Sequence, residues 1–68
     1  MIVNKIGRLA NEKGIKHKYL AKECGVSIQT FSRWVNNHTQ PDLIQSVVIA
    51  KILGVQIEEL VEIEGETQ

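Results

Sequence analysis

Cysteine occurs once, at Cys24, so no internal disulfide can staple the 68-residue chain. No cysteine and histidine spacing resembles a four-ligand zinc arrangement, and no metal or other cofactor is expected. Aromatic residues are equally scarce: Tyr19, Phe31 and Trp34 are the full set. No apolar run approaches the roughly 18 residues of a membrane span, and no signal-peptide pattern opens the chain, so the expected location is cytoplasmic. The sequence holds no Gly-rich phosphate loop, no carboxylate pair in a plausible cleft and no nucleophile with a placed base. An enzyme is therefore not expected. A chain this short buries only about 60% of its unfolded surface and is marginally stable alone. With disulfide and metal excluded, oligomerisation is the help that remains.

Net charge is zero, but the charges are not mixed evenly. Residues 1–40 carry Lys5, Arg8, Lys13, Lys16, Lys18, Lys22 and Arg33 against Glu12 and Glu23, a net +5. Residues 41–68 carry Lys51 against Asp42, Glu58, Glu59, Glu62, Glu64 and Glu66, a net −5. A chain polarised in this way can present a basic face to a polyanion while its acidic end points away. A chance asymmetry on a solvated surface would look the same, so the charge pattern alone decides nothing.

Glycine and proline divide the chain into short pieces, and helical periodicity fills each piece. Asn4 is positioned to cap a first helix whose inner face is Ile6, Leu9 and Ala10, closing at Gly14. A second helix runs from about Lys16 to Cys24 and stops at Gly25. Ser27 is a good N-cap for a third, with Phe31, Trp34 and Val35 on one side. After a polar loop from Asn36 to Pro41, Asp42 and Gln45 have capping-box spacing for a fourth helix through Leu53, closed by Gly54. A short fifth helix is expected to place Ile57, Leu60 and Val61 inward, with Glu58 and Glu59 near its positive end. These pieces predict one all-α domain of five helices, with its core over about residues 4–61 and a short acidic tail.

The fourth helix is apolar nearly all round: Leu43, Ile44, Val47, Val48, Ile49, Ala50, Ile52 and Leu53. Such a helix is buried on more than one side, either centrally among the others or against a partner subunit. The second alternative makes Ile44, Val48, Ile52, Val61 and Ile63 the expected homodimer interface. The alternating end Val61-Glu62-Ile63-Glu64 allows a further arrangement, in which it pairs with extended Met1-Ile2-Val3 as a small ribbon.

Residues 17–36 carry the sharpest signal. Two short helices cross steeply only if their contact is small and the turn between them tight. Ala21 supplies the small contact, and Gly25 accepts positive φ without a Cβ penalty. Leu20, Cys24, Val26, Phe31 and Trp34 supply apolar anchors at helix-turn-helix spacing. Cys24 and Trp34 read as core residues on this layout, and Tyr19 has no assigned role.

With those anchors in place the chain resembles the Cro and phage-repressor-type helix-turn-helix family over about residues 4–61. The points of likeness are Leu20-Ala21, Gly25-Val26-Ser27, Trp34, Asn36, Pro41, Leu43, Ile49-Ala50-Lys51, Leu53-Gly54-Val55 and Glu59-Leu60. The resemblance implies a lambda-repressor-like fold of five helices, with the third entering the DNA major groove, and a dimeric transcriptional regulator. Two positions depart from the family pattern. Lys16 and His17 stand where Ser or Thr followed by Gln is usual, and Val35 stands where Glu often follows the aromatic residue.

If Phe31 and Trp34 are buried, the opposite face of the third helix displays Ile28, Gln29, Ser32, Arg33 and Asn36. Gln29 can pair with the N6/N7 edge of adenine, Arg33 with O6/N7 of guanine, and Ile28 with a thymine methyl; Ser32 suits a base or a phosphate. The resemblance implies base reading at Ile28, Gln29 and Arg33 as well. Lys16, His17 and Lys18 open the second helix, where cations oppose the helix dipole and lysine is a poor cap. A phosphate would compensate that broken rule, and the resemblance places His17 where the family's phosphate-binding Gln stands. Ser27, Thr30, Asn36, Asn37, His38 and Thr39 complete the expected backbone contacts. The expected function is thus a dimeric repressor that reads an inverted repeat in double-stranded DNA. The rival is an antitoxin-like or protein-interaction module of the same fold, with a regulatory protein partner and weak or no DNA binding.

Overall fold

The computed structural model describes residues 1–63. The acidic tail, Glu64 and Glu66 included, lies outside them. In chain order the elements are β1 (Ile2–Asn4), α1 (Ile6–Glu12), α2 (His17–Cys24), α3 (Ile28–Val35), α4 (Leu43–Leu53), a 3-10 turn (Ile57–Leu60) and β2 (Val61–Ile63). The two strands pair antiparallel, with Ile2 opposite Ile63, Val3 opposite Glu62 and Asn4 opposite Val61.

Most helix boundaries follow from the capping residues. Ser27 Oγ accepts the Thr30 amide at 3.1 Å and starts α3. Asp42 and Gln45 form the expected capping box on α4: Asp42 Oδ1 accepts the Gln45 amide at 2.7 Å, and Gln45 Oε1 accepts the Asp42 amide at 3.0 Å. Gly25 ends α2 in the left-handed region at φ 72°, and the Val26 amide reaches back to the Ala21 carbonyl at 3.0 Å. A Cβ at Gly25 would meet no heavy atom within 4 Å, so the position needs glycine for its backbone angle and not for space.

Three expectations are corrected. Four α-helices form, not five; the fifth segment is a single 3-10 turn, and a two-stranded ribbon joins the chain ends, so the fold is mostly helical and not all-α. The chain has only four residues between Gln56 and β2, too few to complete an α-helix, and the tighter turn delivers it to the strand. As a result only Leu60 of the expected inward trio is buried; Ile57 and Val61 are exposed. Asn4 does not occupy the N-cap of α1, which falls to Lys5 without a side-chain bond. Asn4 instead accepts the Ile6 amide on Oδ1 at 3.0 Å from its place in β1.

The core gathers Ile6 and Ala10 of α1, Leu20 and Ala21 of α2, Phe31 and Trp34 of α3, Ile49, Ala50 and Leu53 of α4, and Leu60. Fully burying one Leu, Ile or Phe stabilises the fold by about 1.5–3 kcal/mol, so Ile6, Leu20, Phe31 and Ile49 are its main apolar supports. Phe31 and Trp34 pack with tilted rings 5.7 Å apart. At Gly7, α1 comes so close to α3 that a Cβ there would lie 2.7 Å from Val35 Cγ1. Val35, the residue that replaces the family's Glu, is therefore a packing residue against α1.

Helix α4 is not buried centrally. Ile49, Ala50 and Leu53 face the core, Val48 and Ile52 are half-buried, and Leu43 and Ile44 are about three-quarters exposed at 75% and 74%. Ile2 and Ile63 add further exposed apolar surface on the ribbon.

Candidate nucleic-acid interface

Helix α3 has two unlike faces. Phe31 and Trp34 anchor one in the core, and Ile28, Gln29, Ser32, Arg33 and Asn36 stand exposed on the other. The inward anchors fix the rotation of the helix, so its chemistry outward is set: an apolar tip, an amide, a hydroxyl and a guanidinium. Asn36 binds back to its own helix, donating from Nδ2 to Ser32 O at 3.0 Å. Ser27 Oγ also donates to Thr30 Oγ1 at 3.2 Å, which holds both hydroxyls at the N-terminus of α3.

Lys16 takes the N-cap position of α2, where it makes no side-chain cap bond, and Lys18 lies exposed within the first turn. Neither enters a salt bridge among the described residues, and the same holds for Lys13, Lys22 and Arg33. Lys5 and Arg8 differ. Arg8 lies 3.4 Å from Glu62 and 3.8 Å from Glu12, and Lys5 lies 3.9 Å from Glu62. The ribbon thus carries an acidic side chain back over α1, and the cations without a salt bridge among the described residues are those of α2, its approaches and α3, together with Lys51 of α4.

Two of the residues read as phosphate contacts point differently from the rest. His17 is half-buried, with its ring 5.5 Å from that of Phe31, and its Nε2 is buried without a hydrogen-bond partner. Asn37 turns its side chain inward to Asn4, at φ 60°. His38 and Thr39 remain exposed on the same loop. The amides of both reach the Arg33 carbonyl, at 2.9 and 3.3 Å, so the loop wraps the end of α3.

The sequence assigns Gly7 and Gln40 no role and reads Asn4 only as a helix cap. Asn4 is the one buried polar residue among those described, and it donates to the Trp34 carbonyl at 2.7 Å and to Gln40 Oε1 at 2.6 Å. Its place before an apolar helix signalled a cap, and its actual partners lie 30 and 36 positions away. Cys24 matches its reading as a core residue. It packs against the core and donates weakly to Gln45 O at 3.9 Å, and burial, then Asp42 and Glu23, push its thiol pKa up, away from the reactive thiolate. Among the described residues no group of His, Cys, Asp and Glu is placed to hold a metal, and no helix is long and apolar enough to cross a membrane.

Known proteins share this arrangement. A proposed DNA-binding protein from Bacteroides fragilis superposes with a TM-score of 0.85 at 35% identity, over 91% of this chain and 100% of that one. A transcriptional regulator from Listeria innocua superposes with a TM-score of 0.77 at 26% identity, over 94% of this chain and 60% of that one. No curated protein matches the chain. The model of the helix-turn-helix family matches residues 6–60, nearly the whole described fold, and with α2 and α3 joined through the left-handed turn at Gly25 the chain belongs to that family, in its Cro and phage-repressor type.

Proposed function

We propose that this protein is a sequence-specific DNA-binding transcriptional regulator that acts as a homodimer and reads an inverted repeat through α3. The observation that carries the reading is the division of α3 into a core face of Phe31 and Trp34 and an exposed face of Ile28, Gln29, Ser32 and Arg33. Family membership and the two structural relatives support it. In the proposed complex α3 lies in the major groove, Gln29 pairs with adenine, Arg33 with guanine, Ile28 touches a thymine methyl and Ser32 reaches a base or phosphate. Lys16, Lys18, Ser27, Thr30, Asn36, His38 and Thr39 flank the helix and bind phosphates. The buried Nε2 of His17 reaches a phosphate only if the ring swings away from Phe31; Asn37 acts from behind, through the loop it holds.

The dimer is proposed to form through Ile44, Val48 and Ile52 of α4 together with Val61 and Ile63 of the ribbon. The exposed apolar surface of α4 and β2 is what a second copy would cover. Such a dimer places its two recognition helices roughly 34–36 Å apart, one turn of duplex. Repression follows where the operator overlaps a promoter.

Selection of bound duplexes from a random pool tests the reading. The expected product is an inverted repeat with half-site centres about 10 bp apart, bound by a species that sediments as a dimer. An antitoxin-like or protein-interaction module of this fold predicts no enriched sequence. That outcome, or enrichment of single half-sites by a monomer, would overturn the dimeric-regulator reading.

A further inference from the structure

Asn4 carries more hydrogen bonds than a strand residue or a helix cap requires. Its Oδ1 accepts the Ile6 amide at 3.0 Å, and its Nδ2 donates to Trp34 O at 2.7 Å and Gln40 Oε1 at 2.6 Å. Its backbone amide donates to Asn37 Oδ1 at 2.8 Å, and its carbonyl accepts from Asn37 Nδ2 at 3.1 Å. Asn37 therefore pairs with the backbone of Asn4 through its side-chain amide, much as a neighbouring strand would. Gln40 Nε2 closes the ring by donating to Asn37 Oδ1 at 3.0 Å.

Three features make this cluster more than a way of satisfying a buried amide. It joins parts of the chain 30 to 36 residues apart: the ribbon, the last turn of α3 and the loop before α4. It holds Asn37 at φ 60°, a left-handed angle that asparagine tolerates better than most residues. The loop it pins carries Asn36, His38 and Thr39, whose side chains are exposed beside α3. Asn4 is buried, Asn37 half-buried and Gln40 exposed, so it is at the Asn4 end that the pairing specifies one geometry, because an alternative there leaves a buried donor or acceptor unpaired.

We infer that Asn4 and Asn37 form a clamp that fixes residues 36–40 against the end of α3, which makes Asn4 a positioning residue for the phosphate contacts of that loop. The inference rests on the DNA-binding reading for its functional half and on the loop's own order for its structural half. The clamp holds the loop's donors where the backbone of a duplex seated on α3 passes, so no ordering cost falls on binding. Asn36 and Thr39 donate as uncharged amide and hydroxyl groups. Loosening them weakens binding to every sequence alike without changing the number of counterions released.

Asn37→Gly is the informative variant: glycine adopts φ 60° freely, and only the side-chain pairing is lost. Asn4→Asp is the second, keeping the acceptor for Ile6 and removing both donors. Hydrogen exchange by NMR reads loop order at the amides of His38 and Thr39, with Ile49 in the core as the internal standard. Affinity is measured on a selected duplex and on a random duplex across a salt series. In Asn37→Gly the His38 amide should exchange about tenfold faster while Ile49 is unchanged. Affinity for both duplexes should fall by about tenfold, the loss expected for one charge-assisted hydrogen bond, at the parent's salt slope. Asn4→Asp should move the loop amides in the same direction. Parent-like exchange at His38 in a folded Asn37→Gly protein overturns the clamp. Faster exchange with unchanged affinity overturns the positioning role. If the parent binds no duplex at all, the DNA reading and the positioning role both fall, and exchange alone decides whether the clamp holds the loop.

Discussion

Lys16 breaks a local rule that Ser27 and Asp42 obey, as Lys5 also does at the start of α1. Ser27 and Asp42 cap α3 and α4 with side-chain oxygens, yet α2 begins with a cation and no cap bond. The positive end of a helix disfavours lysine, and a phosphate at that end would reverse the sign of the interaction. Replacing Lys16 by Ala should therefore weaken binding to all duplexes alike and reduce the salt slope by about one per subunit, while the free protein melts no lower than the parent. A change in base preference, with the salt slope intact, would contradict this placement. The residues that could be read from sequence are those whose roles are local: Ser27, Gly25, and Asp42 with Gln45 each act within four positions. Asn4 was read only as a cap, because its decisive partners Trp34, Asn37 and Gln40 become neighbours only in the fold. The packing of the His17 ring is hidden for the same reason: nothing local says that Phe31 lies against it.

At the scale of elements, period and punctuation located all four α-helices to within a residue or two, because each has an apolar face and most have a recognisable cap or glycine stop. The ribbon was legible only as an alternative. Three alternating residues at each end of the chain give no window for a period of two, and their partners are about sixty positions apart. The contact between α1 and α3 was invisible, since Gly7 reads from sequence as a poor residue for a helix interior. The crossing explains it. Gly7→Ala should gain about 1 kcal/mol from helix propensity but lose more by forcing a methyl against Val35 Cγ1, for a net destabilisation of about 1 kcal/mol. In a Val35→Ala background the same substitution meets no such obstacle and should raise stability by up to about 1 kcal/mol. Chemical denaturation of the four proteins checks this. A Gly7→Ala variant more stable than its parent in both backgrounds would mean that the close approach does not constrain the helices.

Over the whole molecule, the lengthwise charge asymmetry becomes a spatial one only in part. Glu62 returns over α1 to Lys5 and Arg8, and with Glu12 it sets two carboxylates against these two N-terminal cations, in partly solvated pairs that contribute little stability. Lys13, Lys16, Lys18, Lys22 and Arg33 stay free of salt bridges among the described residues, on or beside the helix-turn-helix. The proposed dimer face, on α4 and the ribbon, is apolar. A chain too small to bury all its apolar surface leaves Leu43, Ile44, Val61 and Ile63 exposed.

The central claim, that the exposed face of α3 reads bases, is tested most directly at Arg33. The measurement is the affinity of the parent and of Arg33→Ala for the selected duplex, for each single base-pair change within one half-site, and for a random duplex. Arg33 is exposed, so the variant should melt like the parent. It should lose about 1–3 kcal/mol on the selected duplex, lose its discrimination at one base pair of the half-site, and lose much less on the random duplex. Equal losses on selected and random duplex, with every base preference intact, would contradict the account: Arg33 would be a phosphate contact, and α3 would not be seated in the groove as described.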